Sequence, residues 1–215
     1  MKRELLPQVF MWLFVGLLIT FIGGYVVSLN ENVLSNIFNT GWYWAFVIAE
    51  VVIALVLNLR VAKMNKNVAI CLYLFYTFLT GLTVSFLFLA YKLSSIIVIF
   101  LITSILFAIF ALIGKFTKID LSKLWIYLTI GLIAIIILGI INMFVLSEKL
   151  DMVTCIIGIV VFLGYIAYDM QRISRLADYD QINDTSYPIV FAFNLYIDFI
   201  NLFIDLLRLF GSKND

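Results

Sequence analysis

Charged side chains inside apolar sequence are where chemistry could arise in this chain. From Phe193 to Gly211 it reads FNLYIDFINLFIDLLRLFG, apolar throughout except for Asn194, Asp198, Asn201, Asp205 and Arg208. Steps of four, three, four and three residues put these five on one narrow helical stripe. A helix lying on a membrane surface carries a broad, cation-rich polar face; this stripe is one residue wide and nets minus one. It is better suited to a bundle interior or a wet cavity, because a charge turned towards lipid costs at least ~2.5 kcal/mol. Depth separates its members. Asp198 follows Pro188, the expected helix start, by ten residues, which places it about 15 Å into a hydrocarbon core about 30 Å thick. Arg208 stands within a turn of the end and can snorkel to the interface, with Asp205 one turn before it and placed for a local pair.

Three further residues share this character. Glu50 lies inside the second apolar run, Arg60 ends that run, and Asp169 lies in the sixth, in Tyr165-Ile166-Ala167-Tyr168-Asp169, about one turn before Arg172. Each could instead be a satisfied structural polar group. Two carboxylates brought together in a poorly solvated bundle cannot easily both ionise, so they share a proton. Such a pair would titrate near neutrality in a chain with no histidine. An arginine at the helix end could compete for the ionised pair as a latch.

The elements that must hold these groups follow from composition. Of 215 residues, 65% are hydrophobic and 13% charged, and the mean hydropathy is +1.14, values that belong to an integral membrane protein. A crossing helix needs about 20 mainly apolar residues, and seven runs qualify: roughly 8–29, 42–59, 69–90, 94–115, 124–146, 152–173 and 187–210. The expectation is an all-α protein forming one transmembrane domain over 1–215, with short connections. Lysines and arginines divide ten to four between the two sides, which puts the N-terminus in the cytoplasm. If the last segment is re-entrant and does not cross fully, the C-terminus returns to the cytoplasm as well. Lys2 and Arg3 before the first run resemble a signal sequence, but no cleavage site follows, so that run is read as a retained span.

Several classes are set aside. A net charge of +1 with no long basic run gives no footprint for nucleic acid. Cys71 and Cys155 lie inside apolar runs, where burial as small hydrophobes is the expectation. Asn183-Asp184-Thr185 matches a glycosylation acceptor on the side assigned to the cytoplasm, so chance accounts for it. Asp178, Asp180 and Asp184 begin like an EF-hand loop, yet its glycine is missing and Ile189 stands where the bidentate glutamate belongs. No phosphate-binding loop, nucleophile elbow or zinc-protease pair occurs, which argues against an enzyme.

Tyr76-Thr77 and Thr80-Gly81-Leu82-Thr83 in the third run, Tyr168-Asp169 in the sixth, and Leu195-Tyr196-Ile197-Asp198-Phe199-Ile200-Asn201-Leu202-Phe203 leading into Leu206-Leu207-Arg208-Leu209-Phe210-Gly211 carry a family resemblance. The whole chain resembles the transmembrane Bax inhibitor motif family and is most similar to its bacterial calcium-leak members. The resemblance implies two three-helix layers around a central C-terminal helix, in a bacterial cell membrane. It also implies a pH-sensitive calcium leak, with Asp169 and Asp198 as proton sensor and transient calcium ligands and Arg60 as latch. Glu50 resembles a glutamate of the bacterial relatives' second span. Two departures stand out: a longer polar connection before the last span, and Asp205 where a neutral amide is expected. Glu50, Asn201 and Asp205 are then candidates for the cation pathway, since oxygen ligands suit a hard cation. Calcium and protons are the expected partners, with calcium as permeant ion and no cofactor. A proton-coupled transporter would use the same carboxylates, and a non-transporting modulator of membrane proteases or cell-death factors is a role the family also holds.

Overall fold

In hydrocarbon every backbone amide and carbonyl must be satisfied within the chain, so apolar runs of this length become helices. The computed structural model describes residues 5–60, 63–177 and 185–214. Its helices are α1 Leu5–Ser28, α2 Glu31–Asn39, α3 Trp42–Arg60, α4 Lys66–Thr83, α5 Leu87–Ala90, α6 Leu93–Phe116, α7 Leu124–Val145, α8 Glu148–Leu176 and α9 Tyr187–Phe210, with a 3₁₀ turn at Leu121–Lys123 before α7. Seven segments among the described residues are long and apolar enough to cross a membrane, α4 and α5 together making one. Large side chains such as Phe14, Leu59, Ile105, Tyr127 and Phe144 stay exposed along them, as an outer face meant for lipid requires.

Three features lie beyond what run length alone indicates. The polar stretch 30–41 holds a helix, α2, which Asn30 caps by accepting the Val33 amide at 3.2 Å; Leu34 and Ile37 are buried on its inner side. The third run breaks after Thr83. The sixth helix runs past its apolar stretch at both ends, because Ser147 caps its start and Glu148 and Asp151 complement the positive helix end there. The lone glycosylation and EF-hand-like patterns at 178–184 lie outside the described residues, apart from Ile189 in α9 and Thr185.

The helices form two compact units. One takes α1–α5, α9 through Tyr196, and the chain end from Lys213. Small residues let α1 approach α4: a Cβ added at Gly81 would lie 3.1 Å from the Thr20 carbonyl oxygen, and one at Gly24 would lie 3.1 Å from that of Gly81. Hydrogen bonds tie the same pair, Thr20 Oγ1 to the Thr77 carbonyl and the Tyr73 hydroxyl to the Trp12 carbonyl, both at 2.8 Å. Edge-on aromatic contacts set Phe193 and Tyr196 against Tyr73 and Tyr76, with centroids 4.8 to 6.5 Å apart. At the chain end, Asn214 donates to the carbonyls of Ala90, Leu89 and Tyr91.

The other unit takes α6–α8 and α9 from Ile197 to Ser212. Here α6 meets α8 backbone to backbone, since a Cβ at Gly114 would fall 2.1 Å from the Ala167 carbonyl oxygen. Gly131 and Gly164 admit Val161 and Leu128 between α7 and α8. Phe199 packs between Phe100 and Phe107, with centroids at 5.3 and 5.6 Å. The loop before α7 is held by Gln171, which donates to the Ile119 carbonyl at 2.8 Å and accepts the Leu121 amide at 2.9 Å. Of the most apolar stretch of α9, 67% is buried, against 6% for α7, so α9 is a core element despite its charges.

Candidate functional site

Asp169 and Asp198 come together within the second unit. Asp198 is the twelfth of the 24 residues of α9, at the middle of the helix. It is 5% exposed and Asp169 of α8 is 7% exposed, and the two carboxylates lie within electrostatic reach of each other. Tyr165 is within reach of both, and the Arg172 guanidinium is within reach of Asp169. The Oδ2 oxygen of Asp198 is buried with no hydrogen-bond partner among the described residues. A buried acceptor left so is costly, and such groups gather at sites that bind protons, ions or substrates.

Along α9 the remaining stripe divides its work. Asn201 donates its amide to the Ile197 carbonyl of its own helix at 2.8 Å. Asp205 is 9% exposed and accepts from the Cys155 thiol. Its carboxylate fills the space over Gly158, where a Cβ would fall 2.0 Å from Oδ2. Arg208 pairs with Asp151 of α8. The expected local Asp205–Arg208 pair is therefore replaced by two contacts across to α8. Packing α8 against α9 satisfies both groups better than a pair on one exposed face, whose worth is a few tenths of a kcal/mol, about 0.2–0.5.

Burial of the cysteines holds for Cys155 alone; Cys71 sits on the exposed side of α4, because an apolar helix in lipid has an outer face as apolar as its inner one. Both are free thiols. In the first unit, Glu50 is half-buried and accepts from the Thr83 hydroxyl at 2.9 Å. Arg60 stands exposed in the last turn of α3.

Four partners escaped sequence reasoning: Cys155, Gly158, Asp151 and Thr83. The signal for three of them was present, since Asp151, Thr154, Cys155 and Gly158 recur at helical spacing on α8 and make one small, polar face. Thr83 gave none beyond its place in a motif.

Among the described residues, seven apolar segments with a buried carboxylate pair, one on α8 and one on α9, define a multi-pass α-helical membrane protein with ionisable groups in its interior. The chain belongs to the Bax inhibitor-1-like family: the family profile described as "Inhibitor of apoptosis-promoting Bax1" matches residues 2–215. It is 35% identical over 213 residues to the inner membrane protein YbhL of Escherichia coli K12, covering 97% of this chain and 91% of YbhL. A Borreliella burgdorferi protein is 36% identical over 219 residues, covering 100% and 94%. A membrane protein of Streptococcus pyogenes serotype M1 is 35% identical over 189 residues, covering 86% and 81%.

Proposed function

We propose that this chain is a passive, pH-sensitive calcium leak of a bacterial cell membrane, with a cytoplasmic N-terminus and with Asp169 and Asp198 as its proton-operated gate. The observation that carries the proposal is the unpartnered Asp198 oxygen, buried mid-helix and facing a second buried carboxylate. Two such groups in poorly screened surroundings hold together while they share a proton and repel once both ionise. A local change of one proton thus becomes a force between α8 and α9. The same oxygens suit a hard cation, and a leak needs sites weak enough to release it. Asp205 and Asn201 continue the polar face of α9 from Asp198, and Arg60 is the proposed latch on the resemblance to the family.

The test is calcium flux into liposomes containing only this protein, across roughly pH 6 to 8, the range that brackets neutrality. Downhill flux should change with pH in the wild type and lose that dependence in Asp169→Asn and Asp198→Asn. Full pH dependence in both variants would sink the gate. Uphill movement driven by a proton gradient would identify a coupled transporter instead, and an inert protein would point to a modulator of other membrane proteins.

A further inference from the structure

The third membrane segment, a single apolar run in sequence, is two helices in the structure. After Thr83 the amides of Ser85, Leu87 and Phe88 reach back to Leu82, Val84 and Ser85, three residues in place of four. The carbonyls of Gly81 and Thr83 receive no backbone amide among the described residues. Thus α4 ends inside a membrane segment, and a helix C-terminus carries about half a negative charge.

Glu50 of α3 is turned towards that end. Its Oε1 accepts from the Thr83 hydroxyl at 2.9 Å, and the Thr80 hydroxyl is also within hydrogen-bonding reach. Among the described residues, the groups shown to act on Glu50 are these two hydroxyls and the phenols of Tyr43 and Tyr76, none of them a cation. A carboxylate and the negative end of a helix therefore meet in a weakly screening environment, and a positive charge is the complement both require. Broken membrane helices bind small cations in this manner, through half-helix C-termini and freed carbonyls.

We propose that the Glu50 carboxylate and the Thr80 and Thr83 hydroxyls form a weak calcium site in the last turn of α4, beside its broken end. The identity of the cation rests on the leak proposed above; the site itself does not. Tight calcium sites collect about 6–8 oxygens with several carboxylates, whereas this one supplies a single carboxylate and neutral oxygens, with water completing the shell. Such a site captures and releases, as a conducting pathway requires. Thr83 is suited to it in a second way. Its hydroxyl also lies 3.1 Å from the Thr80 carbonyl, so the proton it now shares with Glu50 has another acceptor when a cation takes its place.

Terbium, a hard cation that tyrosine excitation makes luminescent, reports on the site through Tyr43 and Tyr76. The full-length Asp169→Asn/Asp198→Asn protein in detergent, which lacks the two gate carboxylates, should still give terbium luminescence that calcium displaces. Adding Glu50→Gln to it should abolish that signal. Adding Thr83→Val should weaken terbium binding roughly tenfold, the worth of one polar contact, while adding Thr83→Ser keeps it near that of the parent. No luminescence in the parent, full luminescence after Glu50→Gln, or equal affinity in the valine and serine variants would overturn the site. Absence of calcium flux in liposomes would remove the leak and leave the luminescence untouched, so the two failures are separable.

Discussion

Gly114 offers the sharpest check on the packing that places Asp169. A Cβ at this position would stand 2.1 Å from the Ala167 carbonyl oxygen and 2.8 Å from its carbonyl carbon and Cα. Ordinary contact begins at 3.4 Å, so in Gly114→Ala the α6 and α8 backbones must part by roughly 1.3 Å, and no rotamer can absorb the shift because both sides are main chain. Against this, replacing a helical glycine by alanine gains about 0.8–1.0 kcal/mol, while overpacking costs about 1–3 kcal/mol. With rigid neighbours the cost belongs at its upper end, for a net loss of about 1–2 kcal/mol. Gly139 of α7 supplies the internal reference, since a Cβ there meets nothing within 4 Å and the same substitution should stabilise by up to about 1 kcal/mol. Thermal unfolding in one detergent, followed by circular dichroism, should move the two midpoints in opposite directions. Ala167 stands two residues before Asp169, so the pH profile of the proposed calcium flux should shift in Gly114→Ala and stay put in Gly139→Ala. A Gly114→Ala protein as stable as wild type would refute the close crossing of α6 and α8.

Gln171→Ala removes both bonds that hold the 119–121 loop and leaves their backbone partners exposed to exchange. Hydrogen exchange at the Leu121 amide should quicken, with a stability loss of about 1–3 kcal/mol; unchanged exchange would show that the loop holds itself. Outside the membrane, Asp120 is held below the usual carboxylate range, first by the Ser122 hydroxyl, then by the Ser122 amide and Arg175. A lowered folded value stabilises above the unfolded one, about pH 4, and the benefit is lost as pH falls through the folded value. Acid titration should therefore loosen the Asp120–Arg175 contact in wild type below about pH 4, and Asp120→Asn should show no such step; an identical acid profile in both would remove Asp120 from the account.

Much of the molecule is legible in one dimension because lipid leaves little choice. A chain with 65% hydrophobic residues must close its backbone hydrogen bonds locally, so run length alone marks the helices. Asp198 was readable as a mid-helix group for the same reason, since rise per residue converts position in the run into position along the helix. Helix ends were not, because Ser147 and Asn30 act by local capping, which hydropathy does not register.

Sequence by itself thus determined the class of protein, the number of segments long and apolar enough to cross a membrane, and which charges lie within them. Only the tertiary structure decided how those charges are satisfied. Arg208 chose Asp151 over its neighbour Asp205, Asp205 took the Cys155 thiol over the floor at Gly158, and Glu50 found the broken end of α4. The physical reason is that depth is a one-dimensional quantity fixed by helix rise, whereas partners depend on which helix faces which and where glycine lets two backbones approach. Both properties are set by packing among residues far apart in the chain.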